Sequence, residues 1–145
     1  MRSHRPTLRP QYGVMNAVVV TAWVLRGVIA AIFIGMGINH FRPRAARAMA
    51  RIMPPRMRRE GLLSPLNLVY FTGACEIAGG AGILLPWTRL AASIALAVFL
   101  VAVFPANAYA SQHPEKFGRA AIPFWPRLIA QLALIALVLV AGILG

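Results

Sequence analysis

Four long apolar runs, separated by short polar or basic segments, dominate this sequence. A helix needs about 20 mainly apolar residues to cross the hydrocarbon core of a bilayer, and each run is close to that length. Because the core offers the backbone no water, such runs are expected to be helical. The pattern therefore predicts an all-α, membrane-embedded, antiparallel four-helix bundle, with spans at about 16–40, 66–86, 89–110 and 127–144.

The segments outside the runs complete the predicted organisation. Residues 1–13 are basic and lack apolar periodicity, which is typical of a mobile tail, and residues 14–145 form a single predicted domain. Segment 41–65 is predicted to be a basic interfacial loop between the first two spans. Ser64 followed by Pro65 predicts the N-cap and the first helical residue of the second span.

Composition supports a membrane protein and argues against binding of nucleic acid. Hydrophobic residues make up 59% of the chain, whereas 15 Lys and Arg residues are opposed by only three acids. The basic residues lie in the loops between apolar runs, which is typical of membrane proteins that face anionic headgroups. The bilayer with its anionic headgroups is therefore the predicted partner, and nucleic acid is not.

The distribution of basic residues also predicts an orientation. Loops 41–65 and 111–126, extended to Arg127, hold seven and three basic residues and lie on the same side of a four-span bundle. The termini and the turn after the second span hold four. By the positive-inside rule both loops are cytoplasmic and both termini lie outside, in a multi-pass protein of a bacterial plasma (inner) membrane.

Three arginines in the first loop recur at helical spacing. Arg44, Arg47 and Arg51 lie at i, i+3 and i+7, while alanine, methionine and isoleucine residues occupy another side. This pattern predicts a short amphipathic helix that ends before Pro54 and whose arginines contact anionic lipid headgroups. A solvated basic loop is the alternative.

The second span carries a single charge, Glu76, near its midpoint. A charge at the centre of a bilayer costs about 2.5–3.5 kcal/mol on insertion scales, so Glu76 is expected to face other helices. Thr72, Gly73 and Gly80 share its helix face, and small residues let a neighbouring helix approach closely.

The first span offers both a packing face and a counter-charge for Glu76. Small residues at four-residue spacing predict the packing face: Gly27, Ala31 and Gly35. At 1.5 Å per residue, Arg26 lies about 20 Å from His40, and Glu76 lies about 15 Å below the start of the second span. These depths bring Arg26 within reach of Glu76 and predict a pair between them.

Polar residues of all four spans fall toward the side of the basic loops. They form the predicted set of ligand or vestibule residues: Glu76, Arg26, Asn39, His40, Tyr70, Asn107 and Gln131. One hypothesis is a vestibule that opens toward the basic loops, with Glu76 at its floor. The alternative is that each polar group satisfies a helix end or the backbone kinked at Pro105, and that Glu76 and Arg26 join two helices.

No complete set of catalytic residues is visible, so the sequence leaves open whether the protein is an enzyme. The single cysteine, Cys75, excludes an internal disulfide and a CxxC pair, and it is predicted to be a small buried hydrophobe. His4, His40 and His113 are too dispersed to predict a metal site.

Four segments carry a resemblance to a known family. The chain resembles the DoxX-like membrane proteins in GMGINHFRP at 35–43, IMPP at 52–55, YFTGACEIAGGAGILLPWTRLAA at 70–92 and VFPANAYA at 103–110. The resemblance implies a small four-helix membrane protein, in a family with members linked to membrane redox systems and quinones. It points to the following positions: Asn39, His40, Phe41, Glu76 and the FPAN element at 104–107.

The resulting hypothesis is an accessory subunit of a membrane redox system that binds a small hydrophobic ligand, quinone-like or lipid, in the vestibule near Glu76. Because the chain has one thiol, redox work would depend on a redox partner protein or a bound quinone. Two alternatives stay open. One is a small oligomeric transporter or proton-linked permeation unit that uses Glu76, and the other is a purely structural or assembly subunit. A second copy of the chain is a further candidate partner.

Overall fold

All regular structure in the described part of the chain is helical. The computed structural model describes residues 9–118 and 121–144, with the side chains of residue 15 onward in those ranges. The α-helices are α1 (Arg9–His40), α2 (Pro43–Ile52), α3 (Pro65–Gly82), α4 (Arg89–Ser111), α5 (Pro114–Phe117) and α6 (Phe124–Ile143). Short 3-10 turns at Pro55–Met57 and Gly61–Leu63 lie between α2 and α3.

Three of the helices are long and apolar enough to cross a membrane: α1 from Met15 to His40, α4 and α6. The predicted second span forms α3, whose 18 residues include Asn67, Glu76 and several glycines that lower its hydropathy. The all-α prediction is therefore confirmed, together with three helices suited to crossing a bilayer. A fourth crossing by α3 stays a prediction.

The ends of the helices follow local capping rules. Ser64 is the N-cap of α3, as predicted, and its Oγ accepts a hydrogen bond from the backbone N–H of Asn67 at 3.5 Å. The predicted amphipathic segment forms α2, which ends two residues before Pro54. α1 begins at Arg9, inside the predicted tail, whereas residues 1–8 of that tail lie outside the described residues.

α1 and α3 pack against each other in antiparallel directions, with glycines at their close approach. A Cβ atom added to Gly37 would lie 2.6 Å from the carbonyl oxygen of Gly73. Further along the pair, a Cβ added to Gly80 would lie 3.0 Å from the side chain of Ile34 and 3.2 Å from the carbonyl oxygen of Ala30. The backbones can approach this closely only because these positions lack a side chain.

The predicted packing face of the first span is wrong, because the glycine that contacts α3 lies two positions after Gly35. A Cβ atom added to Gly27 or to Gly35 would meet nothing within 4 Å, and both positions face outward. Gly37 makes the contact instead. Four-residue spacing identifies a face of small residues, but it does not say which face meets a neighbour.

α4 and α6 form the second helix pair, and the connection between α3 and α4 joins it to the first. Gly142 of α6 lies directly against Ser93 of α4, where any side chain would clash. Buried apolar residues from α1, the α3–α4 connection, α4 and α6 form one core: Ile29, Ala30, Phe33, Ile83, Leu96, Leu100, Val138 and Ala141. This core fixes the relative positions of the two pairs.

The N-terminal part of α1 lies beside the C-terminal end of α6. The side chain of Arg26 is hydrogen-bonded to the last turn of α6, and Thr21 lines a small groove with Leu144. Ala22, one turn before Arg26, is buried, with 1% of its surface exposed. Val24, on another side of α1, is 61% exposed.

Candidate functional site

Glu76 and His40, both predicted site residues, meet between α3 and α1. Oε2 of Glu76 lies 3.4 Å from Nε2 of His40, which is the last residue of α1. Both residues are buried, with 7% and 8% of their surfaces exposed. Oε2 has no hydrogen-bond partner among the described residues, so the contact is an ion-pair distance without hydrogen-bond geometry.

The surroundings of His40 identify its tautomer. Nδ1 lies 3.0 Å from the carbonyl oxygen of Val69 and 3.2 Å from Oγ1 of Thr72. The Thr72 hydroxyl donates its own hydrogen to the same carbonyl at 2.8 Å. Because both neighbours of Nδ1 then act as acceptors, Nδ1 has to carry a hydrogen. Nε2 is left to face Glu76.

Nε2 of His40 and Oε2 of Glu76 thus face each other at an ion-pair distance. A partner at this distance lowers the cost of burying an acid between two helices. The pair therefore joins α1 to α3.

Arg26 does not supply the counter-charge that the sequence predicts for Glu76. Its Nε donates to the carbonyl oxygen of Ala141 at 2.9 Å, and its guanidinium also donates to the carbonyl of Leu144. Arg26 also lies against the ring of Trp23, 5.6 Å from the ring centroid. A cation at the C-terminal end of a helix satisfies carbonyl groups that lack partners in the helix.

The depth predicted for Glu76 relative to Arg26 is wrong because α3 starts beyond the end of α1. Val69 and Thr72 already lie beside His40, so the first turn of α3 extends past α1, and α2 packs against α3. Glu76 is therefore about one helical turn from the level of His40. Arg26, fourteen positions before His40, lies at the other end of the bundle.

Two further predicted residues lie between α4 and α6. Oδ1 of Asn107 accepts a hydrogen bond from Nη1 of Arg127 at 2.9 Å. Nε2 of Gln131 donates to the carbonyl of Leu100, next to the turn in which Pro105 removes a backbone donor. The Gln131 contact is thus made to the backbone of a neighbouring helix, whereas Asn107 pairs with another side chain.

The last two predicted residues lie at the junction of α1 and α2. The Tyr70 ring is stacked on Phe41, with centroids 5.7 Å apart and planes 12° apart. Asn39 is half-buried, and its backbone carbonyl accepts from the N–H of Arg42 at 3.1 Å. Of the predicted set, His40 therefore lies against Glu76, with Asn39 and Tyr70 next to it in sequence, whereas Asn107 and Gln131 contact groups of α4 and α6 and Arg26 lies at the other end of α1.

A groove that the sequence reading did not predict runs between α3 and α4. It has a volume of about 840 Å³, is open on its outer side, and continues from Cys75 to the turn that joins the two helices. Its walls are mostly small residues: Cys75, Ala78, Gly79, Ala81, Gly82, Ala91, Ala92 and Ala95, with Leu85, Thr88, Leu96, Val98 and Phe99. The described lining contains no charged side chain.

The groove and the His40–Glu76 pair occupy opposite faces of α3. Gly73 and Gly80 face α1, whereas Gly79 and Gly82 lie against Leu96 and Ala92 of α4. The groove also lies toward the α3–α4 turn, away from the polar end of the bundle. The regularly spaced alanines of both helices were the one sequence feature that could have predicted the groove. The same spacing is also typical of tightly packed helices, so it does not identify a groove.

Comparison with known proteins identifies one family. Residues 29–141 match the family described as a domain of unknown function (DUF8561). No curated protein and no solved structure matches the chain. The predicted resemblance to DoxX-like proteins is therefore wrong, since the family that matches most of the chain is a different one. The redox role that depended on this resemblance loses its support.

Proposed function

Because the chain belongs to the DUF8561 family, which is described only as a domain of unknown function, we propose a function from its geometry. The protein is an integral membrane protein with four membrane helices that binds the apolar chain of a lipid-like molecule in the groove between α3 and α4. The observation that carries the proposal is the groove of about 840 Å³. Ligand sites typically have volumes of roughly 300–1,000 Å³ and apolar linings. Because this groove is open on its outer side, a bound chain would stay in contact with the surrounding lipid.

Exposed tryptophans support the placement of the bundle across a bilayer. Trp87, at the α3–α4 turn, is 84% exposed, and Trp125, at the start of α6, is 69% exposed. α6 rises about 26 Å between Trp125 and Gly142, which contacts the opposite end of the bundle. Two tryptophan levels at this spacing match the two interfaces of a bilayer whose core is about 30 Å thick.

This placement puts α3 inside the membrane as a fourth crossing and the groove in one leaflet. Loop 41–65 and the α4–α6 connection lie on the cytoplasmic side by the positive-inside rule, in a bacterial plasma membrane. The groove then opens in the outer half of the bilayer, where lipid chains surround it.

The chemistry of the lining favours an acyl or isoprenoid chain over a polar head. The hydroxyl of Thr88 already donates to the carbonyl of Gly82 at 2.7 Å, and the thiol of Cys75 is a weak donor. An apolar chain can enter such a groove without leaving any polar group of its own, or of the lining, without a hydrogen-bond partner. His40 and Glu76 take no part in binding, because their polar atoms face each other on the far side of α3.

Filling the groove should displace the ligand. Ala78 and Ala95 are exposed and line opposite walls, so the double variant Ala78→Leu/Ala95→Leu places two large side chains in the space. If a steric conflict of this kind costs the bound state about 1–3 kcal/mol, the affinity for the lipid should fall about 5- to 150-fold. Native mass spectrometry of protein purified in mild detergent measures the bound lipid and its mass, which also separates phospholipids from quinones.

The matched control changes the same residue type on the same two helices. Ala74 and Ala102 are exposed but do not line the groove, so Ala74→Leu/Ala102→Leu should retain the lipid. Equal loss in both double variants, or no loss in the groove variant, would contradict the proposed site.

A further inference from the structure

We propose that α2 and the loop that follows it form a binding surface for anionic phospholipid headgroups. The surface consists of the arginine face of α2 and the apolar tip of the loop before α3. It lies at the end of the bundle opposite the groove and does not depend on the ligand proposed there.

The contacts of α2 orient its arginines outward. Ala46 is fully buried, and α2 packs against the ends of α1, α3 and α4. Arg44, Arg47 and Arg51 lie on the other side and are exposed. α2 is therefore held to the bundle by its small apolar face, while a row of three cations faces away from the protein.

The positive charge of this segment is not neutralised within the described chain. Seven arginines lie between residues 42 and 59, all exposed, and Glu60 is the only acid in the loop. None of the seven lies within 4.0 Å of an acidic side chain in the part of the chain that the structure describes. Arg58 is engaged only with backbone carbonyls, those of Met53 and Arg51.

The same loop exposes apolar side chains beside its arginines. Leu62 is 90% exposed and Leu63 57% exposed, three and four residues after Arg59. Gly61 takes a positive φ of 67°, which turns the chain sharply before these leucines. Cations with adjacent apolar side chains are typical of segments that lie at a membrane interface, with the apolar groups inserted among the acyl chains.

This combination favours a lipid surface over nucleic acid. A nucleic acid would neutralise the arginines but would leave the two leucines in water, whereas a leaflet accommodates both. An anionic leaflet also supplies negative charge within a Debye length of every arginine in α2.

The test compares three proteins. The first has an unmodified α2, the second carries Arg44→Gln/Arg47→Gln/Arg51→Gln, and the third carries Arg44→Lys/Arg47→Lys/Arg51→Lys. Delipidated protein in detergent is titrated with phosphatidylglycerol or phosphatidylcholine at low and high salt, and bound lipid is counted by native mass spectrometry. Each basic residue near an anionic surface contributes a factor of about five, so the glutamine variant should bind phosphatidylglycerol about 100-fold more weakly. The lysine variant should retain the preference.

Several outcomes would overturn the proposal. They are unchanged binding of phosphatidylglycerol by the glutamine variant, loss of binding in the lysine variant, insensitivity to salt, and stronger binding of an oligonucleotide than of phosphatidylglycerol. Far-UV circular dichroism establishes that each variant is folded, and glutamine and lysine are both compatible with a helix. The groove variant Ala78→Leu/Ala95→Leu should keep the preference, which separates this result from failure of the proposed function.

Discussion

Replacing Glu76 by alanine should lower the free energy of unfolding by about 3–5 kcal/mol, which is the usual cost of removing one partner of a buried ion pair. Glu76 and His40 are each more than nine-tenths buried, so the remaining histidine has no water to replace its partner. His40→Ala should cost a similar amount. Equilibrium unfolding in mixed detergent micelles, followed by circular dichroism, measures both effects.

A double variant distinguishes the effect of losing the polar contact from the effect of losing the volume of the two side chains. In His40→Leu/Glu76→Met both polar groups are replaced by apolar ones of similar size, so stability should recover to near the unmodified value. Glu115→Ala, at an exposed acid, is the matched control and should change stability by less than about 0.5 kcal/mol. Unchanged stability of Glu76→Ala would show that the pair does not hold α1 to α3.

The second large effect is expected at the close approach of α1 and α3. Gly37→Ala should lower stability by about 1–3 kcal/mol, because its Cβ would stand 2.6 Å from the backbone oxygen of Gly73 and backbone cannot move aside cheaply. Gly73→Ala should act in the same way, since its Cβ would stand 2.6 Å from Cβ of His40. The same unfolding assay measures both variants.

The neighbouring glycine of α1 provides the control. Gly35→Ala places a Cβ where nothing lies within 4 Å, so stability should be unchanged or rise by up to about 1 kcal/mol through helix propensity. If Gly35→Ala destabilised the protein as much as Gly37→Ala, the rotation of α1 that turns Gly37 toward α3 would be wrong.

Local sequence rules were sufficient for the presence of the helices and for some of their ends, but not for the start of α1 at Arg9 or the end of α3 at Gly82. The Ser64-Pro65 start of α3 and the end of α2 before Pro54 follow from side-chain capping and from the missing N–H of proline. The length of apolar runs likewise identified α1, α4 and α6 as helices suited to a membrane. These features depend on residues within one or two turns, which the sequence places next to each other.

Contacts between helices were predicted less well, because they depend on axial offsets that spacing does not contain. The partner of Glu76 is His40 instead of Arg26, since α3 starts beyond the end of α1. The contacting glycine of α1 is Gly37, and not Gly35, for a related reason: the rotation of a helix about its axis follows from all its neighbours together.

The groove illustrates a different limit. Alanines on α3 and α4 repeat as they would at a tight interface, and at Gly82 the helices do approach closely, with Ala92 3.0 Å from the position of a Cβ. A few residues away the same small side chains leave open space. Whether small residues close or open a gap depends on the angle between the two helices, which the spacing of alanines does not determine.

The central claim is that α3 has one face that joins it to α1 and another that binds a lipid chain. Its most direct test is crosslinking of delipidated protein with a stoichiometric photoactivatable acyl-chain probe, with the adducts mapped by mass spectrometry. The predicted adducts lie on Ala91, Ala95 and Phe99, and they disappear in Ala78→Leu/Ala95→Leu but persist in Glu76→Gln. Adducts concentrated on Gly37 to Phe41 and Val69, beside the His40–Glu76 pair, would contradict the account.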